Sequence, residues 1–562
     1  MSKGEEYMKK NGVIAFVIIA IVLFAGVFGI LKLTENKDGT GNAEKKLSRM
    51  VERIGATEQE LVKGTVEFNE NDLAAELPEI SKYPLSLEGK GEINIEIMSS
   101  PEKAGDNYDG WLLDIAKKFN EEKRKIAGKI ISVSIRSISS GTAADYIISG
   151  KYVPEAFTPS NELWGEMIQS KGVELDIVEK RLAGNVAGIL LSSKTQKKIA
   201  EKYKEVTLKT VVQATAENQI TMGYTNPFTS STGLNFLLET LYNYDSKNLL
   251  SDAAVEGFAE FQKNIPFVAY TTLQMRNAAS KGTLDGMVTE YQIYVNTKEL
   301  KDYAFIPFGV RHDNPLYATK NIGADKKKVL EEFCKYCLND ESQNLATEYG
   351  FNENDDYVSS LPEIQGKTII EAQDLWKENK DGGNSITAVF VADISGSMSG
   401  EPINELKNSL INAGQYINDE NSIGLVSFNN KVYVDLPIAQ FDLNQRAYFN
   451  GAVSNLNALG GTATYDGIIV GVDMLVKAKE ANPNTKLVLF LLSDGRKNDG
   501  YDLSDVKSIL ETYQIPVYSI AYGNDCDLDE LNDVSSVNEA ATINADSDDV
   551  VYQLKNLFNA QM

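Results

Sequence analysis

The stretch "ITAVFVADISGSMSGEP", residues 386–402, decides how this chain is read. Apolar and β-branched side chains run without a charge up to Asp393. Oxygen-bearing side chains then fall two apart, at Asp393, Ser395 and Ser397. A near-continuous apolar run of this length fits a strand of a parallel sheet that is covered on both faces. In such sheets the C-terminal ends of the strands open onto a crevice where ligands bind.

The pattern continues to the end of the chain as strand and helix in alternation: "SIGLVSFNN", "KLVLFLLSDG", "IPVYSIAYG" and a last helix in "DDVVYQLKNLFNAQM". Two further segments are expected at the same sheet edge. One is "LGGTATYDG", with Thr462 after two glycines; the other is "LFLLSDGRKN", with Asp494 at the end of a buried strand. Glycine permits the tight turns that let short side chains converge. Every candidate ligand is a hydroxyl or carboxylate oxygen. Hard oxygen sets favour magnesium, manganese or calcium over zinc or copper.

These residues resemble the von Willebrand factor type A domain and its metal-ion-dependent adhesion site. The resemblance covers about 386–562, through "DISGS", "GGT" and "SDG" in the family's order. It implies a doubly wound, Rossmann-like α/β domain. It also implies that Ser395, Ser397 and Thr462 bind a Mg²⁺ ion (Mn²⁺ or Ca²⁺ as alternatives), with Asp393 and Asp494 acting through water. An acidic side chain from a protein partner then completes the shell, which is adhesion or assembly rather than catalysis. A metal-activated water would need a general base, and "DISGS" and "SDG" have no histidine beside them.

Upstream, strands and helices alternate from 91 to about 350: "INIEIMSS", "DGWLLDIAKKFNEEKRK", "ISVSIRSISSGTAADYIISG" and "EAFTPSNELWGEMI". A second unit starts at "VAGILLSSKT" and spans about 186–265. "FVAYTTLQMRNAASKGTLDGMVTEYQIYV" then reads as a return to the first unit. Two α/β lobes crossed twice by the chain place a cleft between them. The order of "IEIMSSPEKAG", "SIRSISSGTAADYI", "FTPSNELWGEM", "YTNPFTSSTGLNFL" and "GTLDGMVTEYQ" resembles bacterial extracellular solute-binding proteins, with the two-lobed (type II) fold of periplasmic binding proteins.

Within that region, Ser139, Ser140 and Thr142 open one helix, and Ser230, Ser231 and Thr232 open another. Helix N-termini carry unpaired N–H groups and attract anions, so two facing starts suit a small anionic solute. Serine and threonine are equally favoured there as plain caps. Arg136 suits either an anion or a neighbouring acid, and Trp164 suits a core.

The N-terminus carries an uncharged apolar run, Val13 to Leu31, within a candidate membrane-spanning segment 13–33. Nineteen residues at about 1.5 Å each just span a bilayer's hydrocarbon. Lys9 and Lys10 precede it, so residues 1–12 are expected on the cytoplasmic side and the bulk outside. A cleaved signal peptide is the alternative. Residues 34–90 read as a stalk and 351–385 as a linker between the modules.

Composition narrows the rest. The 562 residues include 55 basic and 80 acidic side chains, a net charge of −25. That surface repels nucleic acid, whose phosphates require cationic contacts. Three cysteines build no disulfide framework, and Cys334 and Cys337 share a helical face with Val329, Leu330 and Phe333. The single histidine, His312, excludes a histidine-rich metal site. The sequence therefore predicts a binding protein, not an enzyme: either a metal-dependent adhesion protein or a transport-associated or sensory receptor for a small anion.

Overall fold

The computed structural model describes residues 41–558, apart from 67–72, 106, 266–267, 270–274, 276–283, 321, 381–384, 524–525, 539, 541, 545–551, 553 and 556. The apolar segment 13–33 lies outside the described residues. Among those described, no helix is long and apolar enough to cross a membrane.

The strand Ile386–Asp393 is buried along its whole length and lies at the centre of a seven-stranded sheet. Its side chains divide by parity, as the two-residue period of a strand requires. Ala388, Phe390 and Ala392 pack with Leu406, Leu410 and Phe449 on one face. Val389 and Val391 pack with Ile468, Val472 and Ile509 on the other. Both faces are covered by helices, which is why the run is continuously apolar.

Ile386–Asp393 pairs in parallel with Ser422–Phe428 on one side and Lys486–Ser493 on the other. The parallel strands Val517–Ala521 and Thr542–Asn544 extend the second side. Val432–Gln440 closes the first side antiparallel. The chain thus winds first one way from the central strand and then the other, so the topological switch falls beside Asp393.

The described residues of the segment 34–90, expected as a stalk, are divided between the two modules. Residues 41–54 are helical, and Leu47 and Met50 are buried in the C-terminal domain with Val51 and Ile54 packed alongside. Positions 47, 50, 51 and 54 form one apolar helical stripe. Thr57–Glu58 then adds a seventh strand, parallel to Val432–Gln440. Gly64 N–H donates to the Ala447 carbonyl, and Asn450 Nδ2 to that of Thr65. The second half joins the other module: Tyr146 donates its hydroxyl to the Pro78 carbonyl, and Leu85–Leu87 pairs with Lys129–Ser137.

The upstream region has two sheets, as two lobes require. One orders Leu85–Leu87, Lys129–Ser137, Ile93–Ser99, Ala156–Thr158, Leu316–Thr319 and Leu175–Glu179. The other orders Val268–Ala269, Met222–Thr225, Gly286–Glu290, Val186–Ser192 and Tyr303–Arg311. The second lobe therefore runs from 186 to 311, beyond the expected 265. Gly286–Glu290 does not return to the first lobe. It slots between Val186–Ser192, antiparallel, and Met222–Thr225, parallel. The chain returns only between Arg311 and Leu316.

The expected linker 351–385 also packs into this module. In the helix Gly366–Asn379, Ile369, Ala372 and Trp376 are fully buried. Gly366 lies so close to the Glu166 carbonyl of the first lobe that a Cβ there would collide with it. Gln373 Nε2 donates to the Pro227 carbonyl of the second lobe. The helix therefore touches both lobes.

Candidate functional sites

Three loops meet at the switch point of the C-terminal sheet. The loop after Asp393 touches the glycine loop twice: Gly396 N–H donates to the Gly460 carbonyl at 3.0 Å, and Leu459 N–H to that of Ile394 at 2.8 Å. Gly460 has φ +94°, a left-handed conformation that favours glycine. The loop after Lys486–Ser493 joins through Ser493, whose hydroxyl donates to Asp393 Oδ2 at 2.6 Å. Thr462 is tied to the same loop from the other side, accepting from Asn498 N–H and donating its own N–H to Asn498 Oδ1.

The side chains follow. Asp393, Ser395, Thr462 and Asp494 are buried, while Ser397 is exposed at the mouth. Ser395 N–H donates to Asp393 Oδ1 at 2.8 Å, and the hydroxyls of Ser395 and Ser397 lie 3.0 Å apart. Asp494 Oδ1 accepts from Arg496 N–H. Burial, reinforced by the charge of Asp494, pushes the Asp393 carboxyl up to about 6 against its hydrogen bonds with Ser395 and Ser493. Two mutually repelling buried carboxylates beside three hydroxyls form an all-oxygen donor set that suits a hard divalent cation. Sequence reasoning missed the roles of Ser493 and Asn498. Ser493 had a visible signal: a hydroxyl interrupting an otherwise apolar strand one residue before Asp494.

The second candidate site lies between the lobes of the upstream module. Ser139 caps the helix Ser140–Ser149 by accepting from Thr142 N–H, and Ser230 caps Ser231–Tyr244 by accepting from Gly233 N–H. The two helix starts face each other, and one backbone hydrogen bond joins them directly. Gly141 N–H donates to the Thr229 carbonyl, and Trp164 Nε1 donates to the Ser231 hydroxyl at 2.9 Å. The Ser140 hydroxyl accepts from Ser160 N–H. Thr232 turns its hydroxyl towards Glu290 Oε1 at 3.5 Å.

Arg136 is not available to a solute. Its guanidinium makes a two-point pair with Glu96, at 2.7 and 3.1 Å, and caps the Tyr83 carbonyl. Trp164 is buried, as expected for a core residue. Cys334 and Cys337 are buried as well, and burial pushes the Cys334 thiol up to about 11, far from thiolate chemistry.

Sequence reasoning overlooked the polar core between the lobes. Glu290 accepts from His312 Nδ1 at 2.8 Å and from Asn185 Nδ2 at 2.6 Å. The other ring nitrogen of His312 faces the amides of Asn161 and Asn235, at 3.1 and 3.2 Å. Asn235 Nδ2 also donates to the Val310 carbonyl, which fixes its amide orientation. His312 Nε2 is therefore the acceptor and Nδ1 carries the proton. A buried histidine inside "GVRHDNP" gives no periodic signal, which is why this network was invisible in the sequence.

Comparison with known proteins agrees with both folds. Residues 388–560 match the family model of the von Willebrand factor type A domain, and residues 104–352 that of bacterial extracellular solute-binding proteins. The chain thus carries a von Willebrand factor type A domain joined to a solute-binding module. Inter-alpha-trypsin inhibitor heavy chain H1 of Mesocricetus auratus is 28% identical over 186 residues, which are 30% of this chain and 20% of that protein. An uncharacterized protein of Synechocystis sp., sll0103, is 24% identical over 149 residues, 26% of this chain and 34% of that one. The chain therefore spans about a fifth to a third of the length of these relatives. Among solved structures, a von Willebrand factor type A protein from Catenulispora acidiphila has 20% identity and a TM-score of 0.28, covering 31% of this chain and 42% of that one. Iron-bound HitA from Pseudomonas aeruginosa has 13% identity and a TM-score of 0.38, covering 52% and 99%.

Proposed function

We propose that this chain is a membrane-anchored, extracytoplasmic binding protein whose C-terminal domain recognises a protein partner through a divalent cation. The observation that carries this reading is the meeting of three loops at the topological switch, which gathers Asp393, Ser395, Ser397, Thr462 and Asp494. Ser395, Ser397 and Thr462 would hold Mg²⁺, with Mn²⁺ or Ca²⁺ as alternatives, and Asp393 and Asp494 would supply the opposing charge. When bound, the ion offers an electrophilic position to an acidic side chain of the partner. Ser397, exposed at the mouth, marks the side from which that side chain arrives. Segment 13–33, preceded by Lys9 and Lys10, is the proposed anchor, and the net charge of −25 argues against nucleic acid as a partner.

The test is calorimetric titration of the full chain with Mg²⁺ and Mn²⁺, followed by capture of cell-envelope proteins with and without chelator. Metal binding and capture are both expected, and both should be lost in Asp393→Ala with the fold intact by circular dichroism. Failure of either metal to bind, or capture indifferent to chelator and to Asp393→Ala, would overturn the reading.

A second reading concerns the two-lobed module, proposed as the receptor for a small solute. The two separate sheets and the buried polar network around Glu290 and His312 support it.

A further inference from the structure

Beside the three loops of the C-terminal domain lies a buried hydroxyl that the protein alone does not use. Thr464 is 2% exposed, and its Oγ1 has no hydrogen-bond partner. It is the first residue of the helix Thr464–Ala481. A threonine at a helix start usually serves as a cap. Here Ala463 holds the cap position, and no side chain caps the helix.

The register of this helix on the sheet places Thr464 at the metal edge. A Cβ at Gly471 would lie 3.0 Å from Val391 and 3.4 Å from Val389, and one at Gly467 would lie 2.7 Å from Phe428 and 3.0 Å from Val391. The two glycines therefore let the helix press closely onto the strand Ile386–Asp393. As the helix numbering falls from 471 to 467, the strand climbs from Val389 to Val391. Phe428, met at Gly467, is the register partner of Asp393. Positions 464, 467 and 471 share one helical face, as Val389, Val391 and Asp393 share one face of the strand. Three residues further along the helix, about 4.5 Å, bring Thr464 to the level of Asp393.

Asp393 accepts from Ser395 N–H on one oxygen and from the Ser493 hydroxyl on the other. On the reading given above, it serves the ion through water. Mg²⁺ keeps several of its waters when bound to protein. A buried water needs about two to four polar partners. The ion supplies one and the Asp393 carboxylate a second, which leaves a place for the Thr464 hydroxyl. Ser397 is exposed at the mouth of the site, whereas Thr464 is buried. A water held by Thr464 thus lies on the inner side and leaves the outer side to the partner.

We propose that Thr464 is a further positioning residue of the metal site, its hydroxyl holding a water of the ion's shell against Asp393. This rests on the reading of the C-terminal domain as a divalent-cation site and adds a residue to it. An unpartnered hydroxyl has no role in the metal-free fold, so the ion and its water give it one.

The experiment is calorimetric titration of the full chain with Mn²⁺, with the metal-free melting midpoint of the C-terminal domain measured alongside. Thr464→Val keeps the shape of the side chain and removes the hydroxyl. Groups that act on a metal through its ligands account for about 10-fold or more in affinity, and a loss of about 10-fold is expected. The metal-free midpoint should stay equal or rise, because the hydroxyl removed is buried without a bond. Thr464→Ser should restore most of the affinity. A merely structural role gives the reverse pattern, a lower midpoint with Mn²⁺ affinity unchanged, and that result would overturn the inference. Abolition of binding in Thr464→Val, as expected for Asp393→Ala, would make Thr464 a direct ligand and overturn the assignment through water. Unchanged affinity in Thr464→Val removes this inference alone, whereas failure of the parent chain to bind Mn²⁺ removes the metal-site reading with it.

Discussion

Ser493 donates its hydroxyl to Asp393 Oδ2 at 2.6 Å, from the end of one parallel strand to the end of its neighbour. The opposite oxygen of the same carboxylate accepts from Ser395 N–H. Asp393 is thus held from both sides before any ion arrives. The same Ser493 oxygen also accepts from Gly495 N–H, which anchors the loop carrying Asp494. Ser493→Ala should therefore loosen both aspartates without removing a ligand. Groups that orient metal ligands typically account for 10–100-fold in affinity. Mn²⁺ titration of Ser493→Ala is expected to show a loss of about 10-fold, against abolition in Asp393→Ala. Equal affinity in Ser493→Ala and the parent would show that the bond does not orient the site.

The N-terminal segment gives a second prediction. Gly451, inside the helix Leu443–Asn455, lies against residues 62–64, and a Cβ there would run into the Val62 carbonyl. In an isolated helix, alanine would be the better residue by about 1 kcal/mol. Here Gly451→Ala is expected to do the reverse: to lower the melting midpoint of the C-terminal domain by about 3–6 °C and to expose residues 55–66 to protease. A midpoint that rises would mean that the segment is not seated on this helix in solution.

These two cases show what the sequence could and could not carry. Asp393, Ser395, Ser397, Thr462 and Asp494 were legible because each sits at a strand end or in a glycine turn, where local pattern fixes position. Ser139, Ser140, Thr142, Ser230, Ser231 and Thr232 were legible as helix starts, and the structure brings the two starts together. Their use was not legible, since Gly141 donating to Thr229 is a contact between residues 88 apart. The stripe at Leu47, Met50, Val51 and Ile54 was visible, but nothing local says that it packs more than 300 residues downstream. Gly286–Glu290 was recognisable as a strand, whereas its place in the second lobe depends on pairing across the chain.

Asp435 gives a prediction on pH. It lies in Val432–Gln440, and burial pushes its carboxyl from 3.8 up to about 6, against hydrogen bonds from Ser427; Oδ2 is buried without a partner. The raised folded value means that the native state binds more protons than the unfolded chain between about pH 4 and 6. Stability should therefore fall as pH rises through that window and level off above it. Asp435→Asn removes the charge and should flatten this contribution, raising the midpoint at pH 7 by about 2–4 °C and leaving pH 4 nearly unchanged. A variant with the same pH profile as the parent would show that Asp435 is solvated.

The helix Gly366–Asn379 is the last case. Trp376 is fully buried, packs 5.8 Å from Phe228 between ring centroids, and donates Nε1–H to the Tyr224 hydroxyl at 2.7 Å. Tyr224 donates onward to Gln262 Oε1 at 2.8 Å. Trp376→Phe keeps most of the apolar contact and leaves Tyr224 with its partner at Gln262, so it should cost about 1–2 kcal/mol. Trp376→Ala opens a cavity and should cost about 3–5 kcal/mol. Because Gly366 meets the first lobe while Gln373 and Trp376 meet the second, the alanine variant should also free the lobes to separate. Chemical denaturation measures the first effect, and small-angle scattering measures the second as a larger radius of gyration in Trp376→Ala than in Trp376→Phe. If alanine and phenylalanine cost the same and neither expands the chain, this helix lies on the module without holding its lobes.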